Sequence, residues 1–153
     1  MPKPLWAPWR LEYIEQADEL DRCIFCDPEP DLLVHRGKHA VVVMNKYPYA
    51  SGHLLVAPLR HLDDFALLSD EEALEVQRLG ARGVDALRAE YAPHGHNLGW
   101  NLGRVAGAGI VDHIHMHVVP RWGGDTNYMP VIADTRVMPQ SLEESYKALK
   151  EAF

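Results

Sequence analysis

The first half of the chain sets short apolar runs between polar turns, and then the period changes. Residues 32–34, 40–44 and 53–57 are compact runs rich in Val and Leu, separated by Gly37 and by the turn-forming stretch 47–52. Runs of this length bounded by turn residues predict three strands. From Ser69 onward the spacing is helical. Val76, Leu79, Gly83, Leu87 and Tyr91 recur every three or four residues, so they share one buried face. Ser69 and Glu72 stand at the spacing of a capping box, and Pro93 ends the pattern. Residues 97–102 and 113–119 read as two further strands. A second Ser-x-x-Glu pair, Ser141 and Glu144, opens a C-terminal helix with the stripe Leu142, Tyr146, Leu149 and Phe153. The connections are too short for several βαβ crossovers. The pattern therefore predicts one antiparallel α+β domain over residues 1–153, with about five strands, one long helix and a C-terminal helix. Residues 1–22 read as an irregular arm whose Trp6, Trp9 and Tyr13 pack on the body or on a second subunit.

Composition narrows the function more than the fold. The 153 residues are 47% hydrophobic and 24% charged, enough for a core that needs no disulfide staples. The net charge of −7 opposes general nucleic-acid binding, which draws its affinity from Lys and Arg. It leaves room for a small phosphorylated ligand held by backbone amides and a few polar groups. No apolar run approaches the ~18 residues of a membrane span. The first ten residues, with three prolines and two tryptophans, resemble neither a signal nor a transit peptide, so a cytoplasmic location is expected.

The chemistry concentrates in Asp112-His113-Ile114-His115-Met116-His117-Val118. In a strand, alternate side chains share a face, so His113, His115 and His117 would project together while Ile114, Met116 and Val118 enter the core. Clustered titratable groups mark functional sites more often than ordinary surface strands. A single metal held by all three is a poor fit. Same-face neighbours lie roughly 6.5–7 Å apart, and metal–nitrogen bonds reach only about 2.0–2.1 Å. Divided labour fits better. Neutral imidazole is a competent nucleophile near pH 7, so His115 in the centre would attack phosphorus and His117 would bond or protonate the leaving oxygen. The preceding Ala106-Gly107-Ala108-Gly109 suits backbone amides presented to phosphate oxygens, and also suits a plain tight turn. Asn101 would add a neutral amide donor.

These residues resemble the histidine triad family, whose signature alternates three histidines with hydrophobic residues. The likeness extends to Trp6-Ala7-Pro8-Trp9-Arg10, to Cys23-Ile24-Phe25-Cys26, to the segment from Gly99 to Gly109, and to Arg121-Trp122-Gly123-Gly124-Asp125-Thr126-Asn127. Those flanking motifs look like a bacterial branch of diadenosine tetraphosphate phosphorylases or hydrolases. The resemblance implies a homodimer, a covalent nucleotidyl-histidine on His115, leaving-group contact by His117, and water or inorganic phosphate as acceptor. It places Asn45 near a ribose and makes Ile24, Phe25 and Met44 the lining of a base pocket. Gly107, Ala108 and Gly109 would meet phosphate, and Trp122 would cover the site. Many family members carry glutamine or serine just before the triad, where this chain has Gly109 and Asp112.

Cys23-x-x-Cys26 is ambiguous alone. Asp27, Pro28, Glu29 and Pro30 follow it, which opposes both a redox helix and a stabilised thiolate. Zinc is the better reading, beside a bare cysteine pair. The family resemblance supplies a complete ligand set, Cys23, Cys26, His61 and His113, as a closed structural site. Two other functions stay open: a nucleotide-binding module with slow turnover, and a metal-dependent hydrolase or oxygenase that uses the histidines as ligands.

Overall fold

The structure is a computed structural model that describes residues 22–125 and 138–153. The aromatic arm expected before Arg22, and Thr126 and Asn127 of the tract after β5, lie outside the described residues. Five strands form one antiparallel sheet in the order β1-β2-β3-β5-β4. They are β1 (Leu33–Arg36), β2 (Ala40–Met44), β3 (Leu54–Pro58), β4 (Gly95–Trp100) and β5 (Met116–Arg121). Helix α1 (Asp70–Tyr91) connects β3 to β4, and α2 (Leu142–Ala152) closes the chain. Among the described residues, no helix is long and apolar enough to cross a membrane.

The central strands are buried throughout because both faces of the sheet are covered there. Alternation divides their side chains. Ala40, Val42, Met44, Leu54, Val56, Met116 and Val118 face the helices, where Val76, Leu79, Leu87 and Leu149 meet them. Val41, Val43, Leu55 and Ala57 face the other way and are covered by Phe25. Two glycines let α1 lie close on the sheet: a Cβ at Gly80 would collide with Met116 Cε, and one at Gly83 would come within 3.1 Å of Leu54 Cδ1. Both capping boxes form. Ser69 Oγ accepts from the Glu72 amide at 3.2 Å while Glu72 accepts from the Ser69 amide at 2.9 Å, and Ser141 and Glu144 repeat the pattern. Helix α1 ends at Ala92 in the left-handed region (φ 43), directly before Pro93.

One expectation needs correction. The last strand begins at Met116, so only His117 of the three histidines is in the ladder. Pairing with β3 stops at Val56–Met116. Beyond it the chain is claimed by the end of β3 and the loop after it: the Ile114 amide donates to Leu62 O at 2.8 Å, and the His113 ring donates to Pro58 O at 2.8 Å. These contacts replace strand pairing and draw His113 away from its neighbours.

Candidate functional site

The histidines gather on the sheet face away from the helices, and their hydrogen-bond partners assign their tautomers. His53, just before β3, is fully buried. Its Nδ1 accepts from the Tyr49 amide at 3.0 Å and lies 3.2 Å from Asn45 Nδ2. The Asn45 amide is itself oriented, because Oδ1 takes the Tyr47 amide at 2.9 Å. With Nδ1 an acceptor, neutral His53 carries its proton on Nε2 and donates it to His117 Nδ1 at 2.9 Å. Neutral His117 must then hold its proton on Nε2. Tyr49 stacks on His117, with ring planes 9° apart.

His115 is the complementary case. Its Nδ1 donates to the His113 carbonyl at 2.9 Å, so its Nε2 keeps a lone pair. The side chain is nearly buried, and burial is the main influence that holds its pKa below the ordinary imidazole value. The bond to the His113 carbonyl opposes that shift, and the neighbouring His113 imidazole adds to it. The rings of His115 and His117 are 5.0 Å apart. A proton-free nitrogen thus stands beside a proton-bearing one, the pairing that suits a nucleophile and a hydrogen-bond donor to a leaving oxygen.

His113 turns elsewhere. Its Nε2–H is spent on Pro58 O, so its Nδ1 lone pair faces Cys23 Sγ at 3.1 Å and Cys26 Sγ at 3.7 Å. His61 Nδ1 lies 3.4 Å from Cys26 Sγ, and its Nε2 is 3.8 Å from Asp112 Oδ2. The four donor atoms all fall within 4.8 Å of one another. Zinc–ligand bond lengths place the corners of a tetrahedral S₂N₂ site roughly 3.6 Å apart, so the residues fit such an ion. The second nitrogen of each imidazole faces an oxygen, the arrangement that orients metal-bound histidines. Burial disfavours the Cys23 thiolate, but His113 Nδ1, which can take up the thiol proton, and backbone bonds from Cys26 and Phe25 outweigh it and lower the pKa to about 6. Cys26 is pushed up to about 11 by burial and by Cys23.

The remaining expected residues divide. Asn101 follows β4, whose last pair is Trp100 with Met116, and its amide reaches toward Gly107 O at 3.5 Å. Gly107 is left-handed (φ 95), as the glycine-rich reading requires. The amides of Ala106, Gly107 and Ala108 nevertheless donate to carbonyls of Gly103 and Arg104, so this segment stands as a closed turn rather than an open nest. Ile24 packs at the edge of the outer cluster, beside the site. Phe25 is fully buried and shows no face to a base; its ring lies against His113 and His115. Met44 is on the wrong face: alternation sends it into the helix-side core with Val42. Trp122 lies just past the far end of β5, five residues beyond His117. His53 is the residue that sequence reasoning missed. Its signal was parity with Leu55 and Ala57, which becomes informative only once β3 is known to pair with β5.

Gly99 pairs with His117, and a Cβ there would meet nothing within 4 Å, so space opens beside the candidate leaving-group donor.

The arrangement has relatives. The AP-4-A phosphorylase of Mycobacterium tuberculosis is 36% identical over 95% of this chain and 81% of that protein. A zinc-bound histidine triad family protein from Mycobacterium smegmatis superposes with a TM-score of 0.68 at 28% identity, covering 85% of this chain and 91% of that one. A HIT family member from Bacillus subtilis superposes with a TM-score of 0.61 at 31% identity, over 68% and 76% of the two chains. The HIT domain family model matches residues 28–124, which contain His53, the three alternating histidines and every strand. The chain belongs to the histidine triad family.

Proposed function

We propose that this protein transfers an adenylyl group from diadenosine tetraphosphate to inorganic phosphate through a covalent intermediate on His115. The observation that carries the reading is the opposed tautomers of the adjacent rings, Nδ1–H on His115 and Nε2–H on His117. His115 Nε2 attacks the α-phosphorus and forms an N–P bond. The P–O bond to ATP breaks, its electron pair stays on the leaving oxygen, and His117 Nε2–H donates a hydrogen bond to that anionic oxygen. Phosphate oxygen then attacks the same phosphorus, the N–P bond breaks, and ADP leaves. With water as acceptor the product is AMP. The M. tuberculosis relative supports phosphate as the acceptor. The vacated ATP site offers positioning to a second anionic reactant, and effective molarities can reach ~10⁵ M.

Zinc bound by Cys23, Cys26, His61 and His113 would pin the 23–26 segment beside the catalytic histidines. Four protein ligands leave no open position, so its contribution is structural. Ile24, Asn101 and the turn at Gly107, Ala108 and Gly109 border the nucleotide site, and Asn45 serves it through His53 as well as any ribose contact. A homodimer is supported by the edge strand β4, which exposes Leu98, and by the exposed Leu102 after it. Paired cysteine thiols without a disulfide suit a reducing cytoplasm.

The test is product analysis with labelled inorganic phosphate at millimolar concentration. Labelled ADP with ATP supports the proposal, and ATP with AMP at a rate indifferent to phosphate replaces it with hydrolysis. His115→Asn must abolish turnover, by roughly 10⁴-fold or more, as loss of a covalent nucleophile does. Near-normal activity in that variant would remove His115 from the mechanism.

A further inference from the structure

We infer that Phe25 is a positioning residue: the cysteine loop holds the His115 imidazole in its reactive orientation through this ring. The inference rests on the role proposed for His115 and adds a link between the metal loop and the nucleophile.

Phe25 stands between the two cysteines of the metal group and is fully buried. Its centroid is 5.1 Å from the His113 ring, edge to face at 60°, and 4.9 Å from the His115 ring at 31°. One side chain therefore touches both a candidate ligand and the nucleophile. The contact answers a specific need. The terminal torsion of histidine is broad and two-fold, so one bond from Nδ1 to the His113 carbonyl leaves the ring easily tilted. Flipping it would place carbon where the attacking nitrogen must be. Among the described residues, the rings of Phe25 and His117 lie against His115, at 4.9 and 5.0 Å. His117 is itself held by His53 and Tyr49 and faces the leaving group, which leaves Phe25 as the passive wall. Phe25 also fills the outer core against Val41, Val43, Leu55 and Ala57. An aliphatic residue of similar volume can meet that packing demand but cannot supply the aromatic wall. The cysteines at either end fix the wall only while their loop is tied down, so metal occupancy and nucleophile geometry are coupled.

The experiment compares the full-length protein with Phe25→Met and Phe25→Leu, each assayed for zinc content, kinetics with diadenosine tetraphosphate, and His115 tautomer by nitrogen NMR. Expected are one zinc per chain, KM within about twofold, and kcat lowered roughly 10- to 100-fold, the scale of a small misplacement of a reacting group. The His115 nitrogen shifts should move from the Nδ1–H tautomer toward a mixture. Removing zinc from the wild-type protein should produce the same spectral change, reversed by adding zinc alone. Unchanged kcat in both variants, or lowered kcat with the wild-type tautomer pattern, overturns the inference. If neither variant folds, an unaltered His115 spectrum on zinc removal overturns it as well. The spectral readout does not depend on turnover, so it decides this inference even if no dinucleoside polyphosphate is a substrate.

Discussion

Replacing Glu72 with Gln isolates one charge that anchors the start of α1 to the loop carrying His61. Glu72 is almost fully buried and accepts from Arg60 Nε at 2.9 Å, from Arg60 Nη2 at 2.8 Å and from the Ser69 amide at 2.9 Å. Arg60 also donates to Leu67 O at 2.7 Å, so the pair ties the segment preceding His61 to the helix. The Arg60 guanidinium is the main cause that holds Glu72 at about 2, below its ordinary 4.5; burial opposes it and the Ser69 amide assists. The drop from 4.5 to about 2 corresponds to about 3 kcal/mol at 1.36 kcal/mol per pH unit. Arg60 is half exposed, and solvent screening reduces the expected effect to about 1–2 kcal/mol. Gln keeps the capping geometry and removes the charge. Because the folded pKa is depressed, the stabilisation is complete above about 4.5 and disappears as pH falls through about 2. Urea unfolding of both proteins from pH 7 to pH 2 should show a gap of that size at neutral pH that closes across this window. A gap absent at pH 7, or equal at pH 7 and pH 2, would refute the reasoning.

Cys23→Ser should lose the metal and, at a hundred-fold excess of zinc over its dissociation constant, about 2.7 kcal/mol of stability; calorimetry should show a melting temperature lower by roughly 5–10 °C, and an unchanged value would mean no structural zinc. His53→Ala should remove the donor that fixes His117 and lower turnover of diadenosine tetraphosphate about 100-fold, within the range for loss of one hydrogen bond to a developing anion. The same variant should lose much less with a nucleotide ester whose leaving group is a stable anion needing no hydrogen bond, and equal losses on both substrates would discard that role for His53. Met44→Leu should leave KM unchanged and cost less than about 1.5 kcal/mol, whereas a raised KM would return Met44 to the nucleotide pocket.

Local signals in the sequence were sufficient for the elements. Ser69 with Glu72, Ser141 with Glu144, and Pro93 mark helix ends because capping and proline chemistry act over three or four residues. The apolar runs of β2 and β3 are legible for the same reason, and the His/Cys ligand types for zinc are a property of the residues alone. What the sequence could not supply was which neighbours each extended segment would meet. Alternation predicted that His113, His115 and His117 would share one strand face; the chain instead leaves the ladder before Met116, because Pro58 at the end of β3 and Leu62 in the loop after it offer carbonyls across a distance no local pattern records. Alternation also holds no information about which face becomes the site, so Met44 read as pocket until the helices settled on its side. His53 looked like an ordinary strand residue until β3 paired with β5 and carried its Nε2 to His117. Residue chemistry determined what imidazoles can do, while the strand order β1-β2-β3-β5-β4 decided which ring faces the cysteine pair, which keeps a proton-free Nε2 and which meets His53, since those partners are distant in the chain.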